Sequence, residues 1–158
     1  MASSPDNHDG IDQGAFDALL TERSKDRPRW MAQNAQAFFA THLDNTISTE
    51  LVEWTVRRCL DCSAKAAVEV IRTGFRTDLR EEAAALRVPV LIIHGDADAS
   101  APIGLCGRRM AKLVPDSVYK EYPRAGHGLF MTHADDVNQD LLDFIGATST
   151  LGGINCSG

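Results

Sequence analysis

The sequence predicts an α/β fold in which a helical region leads into a strand-helix-strand unit with parallel strands, followed by a closing helix. Three observations predict it. Residues 15–86 place apolar side chains at three- and four-residue steps and show no convincing strand. At Pro89 the pattern changes to Val90, Leu91, Ile92 and Ile93, a continuous apolar run between proline and glycine that suits a strand buried on both faces. A helical stretch then separates that run from Val118, Tyr119 and Tyr122, and this order implies a right-handed crossover joining parallel strands.

Residues 1–14 are rich in Ser, Pro, Asn, Asp and Gly and are expected to be flexible. Phe16, Leu19 and Leu20 begin the first helical pattern, and Pro28 interrupts it. A second segment carries Trp30, Met31, Ala35, Phe38 and Phe39. These aromatics read first as helix packing, and the sharper alternative turns Trp30, Phe38 or Phe39 toward a substrate cavity. Ser48 or Thr49 suits an N-cap, with Glu50 and Glu53 early in the helix they start. Ser63 caps the next, and Asp78 a short helix over 79–86. Pro102 fits the first turn of the crossover helix, which runs to Val114. The last helix is expected from Thr132, with Thr132 and Asp135 spaced as a capping box, to Gly146. Residues 147–158 read as a flexible tail.

Composition narrows the function classes. The chain of 158 residues is one domain long, 44% hydrophobic and 24% charged, which is globular rather than fibrous or disordered. A net charge of −6 leaves no basic field for nucleic acid or an anionic membrane. The densest positive stretch, residues 23–29, is broken by Asp26 and Pro28. No apolar window is long enough to span a bilayer and residues 1–10 are polar, so a cytoplasmic location is expected. Cys59 and Cys62 form a C-x-x-C inside a helical pattern, with only Cys106 and Cys156 elsewhere. They read as helix residues rather than a metal or redox site, and no metal or cofactor is expected.

Two ionisable residues stand in glycine-rich turns after the strands. Asp98 lies five residues past Ile93, and His127 five past Tyr122. Neighbouring parallel strands would bring both turns to the carboxyl edge of the sheet, where open α/β sheets place their ligand sites. An Asp there can accept from the imidazole Nδ1–H while Nε2 serves as general base. Gly95, Gly126 and Gly128 would supply the tight backbone conformations. Competing assignments are Asp96 as the acid, with a turn cap as its ordinary job, and His94 as the base, with a structural bond at the strand end. His127 as an inert loop histidine and His133 as part of the last helix complete the alternatives.

The stretch HGDADASAP, followed about thirty residues later by AGHGLFMTHADDVNQDLLDFI, resembles the C-terminal part of the α/β-hydrolase fold, especially its non-haem haloperoxidases and esterases. GFRTDLREEAAALRVPVLIIHGDAD is similar to that family's return from a helical lid into its penultimate strand. The resemblance covers roughly residues 12–146 and divides the chain into a lid region, 15–86, and a C-terminal core part, 87–146. It implies Asp98 and His127 as the acid and base of a Ser-His-Asp triad. The family's nucleophile sits on a G-x-S-x-G elbow, and these 158 residues contain no such motif. The expectation is therefore a partial α/β-hydrolase fold supplying the acid and the histidine. It would act on a small ester or acyl substrate when completed, as an esterase, a perhydrolase or, less directly, a lyase. An N-terminal hydrolase half or a second copy would cover the exposed sheet edge. The alternative is a non-catalytic binding protein or the complementing half of a split hydrolase.

Overall fold

In the computed structural model, which describes residues 2–3, 7–8 and 10–151, polar side chains set the helix starts. Asp12 accepts the Ala15 N–H ahead of α1 (Gln13–Lys25), and Asp26 accepts the Arg29 N–H ahead of α2 (Arg27–Phe39). Ser48 does the same for α3 (Thr49–Leu60) and Ser63 for α4 (Ala64–Arg76). Each bond satisfies a first-turn donor that has no partner inside the helix. Pro28 falls in the first turn of α2, where a missing N–H costs nothing, so the interruption is a new helix start. The short α5 (Arg80–Ala84) is tighter than the expected 79–86, and Asp78 spends its carboxylate on the Arg80 N–H and guanidinium.

The first helices pack around Phe16, whose ring stacks on Phe75 with centroids 3.8 Å apart, beside Leu20. Ala2 packs against this cluster, whereas Ile11 is exposed and is held to it through the backbone. Ala2 donates to the Phe75 carbonyl and bridges to Ile11, while buried Asn7 donates to Ala2 O. The described residues ahead of α1 thus make backbone pairings, which a polar composition does not forbid.

Strands β1 (Leu91–Gly95) and β2 (Val118–Tyr122) pair in parallel, with Leu91 opposite Val118 and Gly95 opposite Tyr122. Between them lies α6 (Gly107–Leu113), shorter than predicted because residues 102–106 form successive turns on the Pro102 and Ile103 carbonyls. After β2 come α7 (Leu129–Thr132) and α8 (Ala134–Leu151). The expected capping box is absent: Thr132 closes α7 and its Oγ1 bonds His133 Nδ1 at 2.9 Å. Nor does the helix stop at Gly146. That glycine is not left-handed, and the Thr148 and Ser149 hydroxyls bond back to the Phe144 and Ile145 carbonyls. The tail expected from 147 is therefore helical to Leu151, and 152–158 lie outside the described residues.

Tyr122, Ala125, Leu129 and Val137 form the second buried cluster, with Ile93 against it. Tyr122 O–H donates to Asp140 at 2.7 Å, and burial, then that bond, pushes its phenol well above the ordinary range. β1 was expected to be buried on both faces, but Leu91, Ile92 and Ile93 are only half-buried, since β2 is the only strand beside them among the described residues. No helix of the described residues is long and apolar enough to cross a membrane.

Candidate active site

β1 continues two residues beyond Ile93, because His94 and Gly95 extend the ladder opposite Glu121 and Tyr122. Asp98 therefore lies three residues past its strand and His127 five past Tyr122, so equal offsets are not what unites them. The two turns interlock instead. Asp96 N–H donates to Tyr122 O, and Ala97 N–H to Ala125 O, both at 3.0 Å. Asp96 Oδ1 in turn accepts the N–H of Arg124, which holds a left-handed φ of 61°. Asp96 is thus occupied as a staple between the turns rather than as an acid partner of histidine.

Asp98 and His127 are brought together. His127 Nδ1 lies 2.7 Å from Asp98 Oδ2, and the Asp98 side chain is only 3% exposed. Asp98 Oδ1 accepts the Ser100 and Ala101 N–H groups, each at 2.8 Å. A buried carboxylate is tolerable only with such partners. His127 is 43% exposed, and with Nδ1 turned to Asp98 its Nε2 lies on the far side of the ring. An imidazole held this way can take a proton at Nε2 while the carboxylate stabilises the cation that forms. His94 makes the structural bond expected of it, to Ala101 O, and His133 sits between α7 and α8 with its ring edge-on to Tyr122.

The glycines act by close approach rather than by unusual dihedral angles, since neither Gly95 nor Gly128 is left-handed. A Cβ on Gly95 would lie 2.1 Å from Ala125 O, and one on Gly128 would lie 2.2 Å from the Phe39 ring. Gly95→Ala must force the two turns apart and is expected to cost about 1–3 kcal/mol in urea unfolding, with loss of the Asp98–His127 contact.

Contacts from the helical region complete the site, and no local pattern points to them. Phe38 O accepts the Gly128 N–H at 2.8 Å, and the Phe38 ring lies 5.0 Å from that of His127. Of the three aromatics weighed, Phe38 borders the histidine, Phe39 is core, and Trp30 lies under the Arg23 guanidinium. Asn45 Nδ2 donates to both Ala40 O and Arg124 O, while the Arg124 side chain reaches Leu43 O and Asp44. Only the general preference of Asn for turns could have hinted at Asn45.

The cysteines among the described residues lie apart from the pair or are disfavoured as thiolates. Burial, with the Asp98 charge adding, pushes the Cys106 thiol up and disfavours a thiolate. Cys59 and Cys62 are exposed at the end of α3, and no cluster of three or more His, Cys, Asp or Glu among the described residues could hold a metal ion.

The fold carrying this pair is the C-terminal part of the α/β-hydrolase fold. It takes the form found in non-haem haloperoxidases and esterases. The chain is 32% identical over 150 residues to the non-heme haloperoxidase of Rhodococcus erythropolis, covering 92% of this chain and 54% of that protein. It is 31% identical over 148 residues to the bifunctional esterase/perhydrolase DCH of Acinetobacter calcoaceticus, covering 92% and 53%. Its structure superimposes on the bromoperoxidase from Bacillus anthracis with a TM-score of 0.81 at 27% identity, over 91% of this chain and 53% of that one. The chain spans about half the length of these relatives, matching their C-terminal halves. No protein-family model matches.

Proposed function

We propose that this chain supplies the acid and base of an acyl-transfer hydrolase whose serine comes from outside these 158 residues. The observation that carries the reading is the 2.7 Å bond between His127 Nδ1 and a buried, fully partnered Asp98. The serine oxygen would attack an ester carbonyl as His127 Nε2 takes its proton. That proton then passes to the departing alcohol. Water attacks the acyl-enzyme, giving its proton to His127 and releasing a carboxylic acid and the free serine. Hydrogen peroxide in place of water would release a peracid, the perhydrolase variant that the name of the Acinetobacter relative favours.

A second reading draws on exposed apolar surface: Val118 is 43%, Ile145 56% and Leu142 64% exposed. Surface of this kind suits a binding module or complementing half that docks an N-terminal hydrolase half or a second copy. Mixing the chain with the N-terminal half of a related esterase, serine elbow included, separates the two. Turnover of p-nitrophenyl acetate by the mixture and not by either piece supports the hydrolase. Association without turnover supports the binding module.

A further inference from the structure

Two imidazoles, not one, reach the Asp98 carboxylate. Beside the His127 contact, His94 Nε2 lies 3.2 Å from the same oxygen, Oδ2, and 2.8 Å from the Ala101 carbonyl oxygen. Both neighbours of that nitrogen are acceptors, so Nε2 carries the proton; it donates to the Ala101 carbonyl, and the Asp98 oxygen lies beside the same N–H as a close electrostatic contact rather than as a second hydrogen bond. The His94 side chain is 12% exposed. Gly107, at the start of α6, leaves room for its ring: a Cβ there would lie 2.7 Å from His94 Nδ1.

We infer that His94 is a positioning residue for the Asp98–His127 pair. The inference rests on the acid and base roles proposed above. The positive end of the His94 Nε2–H dipole lies 3.2 Å from Asp98 Oδ2, the oxygen that faces His127 Nδ1, and favours the carboxylate in that place. The His94 hydrogen bond to Ala101 O ties down the loop whose Ser100 and Ala101 N–H groups grip Oδ1. Those two bonds both act on Oδ1, so they depend on the loop that His94 holds through Ala101. Without His94, the sole remaining partner of Oδ2 is the ring of His127, which is itself nearly half exposed. Order therefore passes from the buried imidazole, through the carboxylate, to the exposed one.

The test is nitrogen-15 and proton NMR of the imidazoles in the full chain. In the unsubstituted protein, His94 is expected as the Nε2–H tautomer and His127 as the Nδ1–H tautomer, with a downfield, slowly exchanging proton that Asp98→Asn abolishes. His94→Phe fills the space without a donor and is expected to lose that proton signal and mix the His127 tautomers. His94→Gln, which keeps an N–H at similar reach, is expected to retain it. A His127 signal unchanged in His94→Phe overturns the inference and leaves the pair intact. Absence of the signal in the unsubstituted chain overturns both. An Nδ1–H tautomer at His94 overturns the inference without recourse to any variant, so a substitution that prevents folding does not protect it.

Discussion

Turnover of p-nitrophenyl acetate by the completed enzyme is expected to fall by about four orders of magnitude or more when His127 is replaced by alanine. Removing the base leaves only substrate binding and oxyanion stabilisation, the residual that survives when one member of a serine triad is lost. The loss should appear in kcat, because the imidazole acts on the reacting proton rather than on ground-state binding. His127 also lies on the surface of the isolated chain, with one side-chain hydrogen bond. Its removal should therefore move the unfolding midpoint of the chain little. A fall in activity matched by collapse of the fold would point to a structural histidine, and full activity would remove His127 from the mechanism.

Asp98 should behave in the opposite way, with a large effect on stability as well as rate. Asp98→Ala withdraws the acceptor from the Ser100 and Ala101 N–H groups and from His127 Nδ1, and removes the carboxylate that lies 3.2 Å from His94 Nε2. Leaving several such donors short of partners is expected to cost about 3 kcal/mol in urea unfolding. Asp98→Asn separates stability from chemistry. The amide oxygen can still accept both backbone N–H groups, but its NH₂ then faces the imidazoles, and His127 must turn to its other tautomer. Rate is expected to fall about 10⁴-fold while less stability is lost than with alanine.

Much of this was legible in the sequence because local rules governed it. Ser48 and Ser63 cap as their positions predict, and Val90 to Ile93 announced a strand through composition and flanking residues. Asp98 and His127 meet because the strands are parallel neighbours, not because of equal offsets, since the first strand ends at Gly95 and the turns differ in length. What escaped the sequence depends on distant partners. The glycine in Gly146 predicts a stop only if the chain adopts a left-handed turn there, and the backbone instead stays helical through it to Leu151. Thr132 has the spacing of a cap, but its hydroxyl is committed to His133. Phe38 and Asn45 lie about 80 residues or more from the turn they hold, and no periodicity links them to it.

The staple of Asp96 on Arg124, with Asn45 bonded to the same residue's carbonyl, bears on how an enzyme could be assembled from two pieces. Because the acid turn and the histidine turn are bound to each other within this chain, their relative placement does not wait for the serine-bearing half to arrive. The partner would meet a receptor already in its competent conformation, so none of its affinity is diverted to selecting a rare arrangement of the two turns. On the proposed function, the clasp would make the two turns a transferable cartridge, one that recombination could join to different serine-bearing halves without rebuilding the proton relay each time.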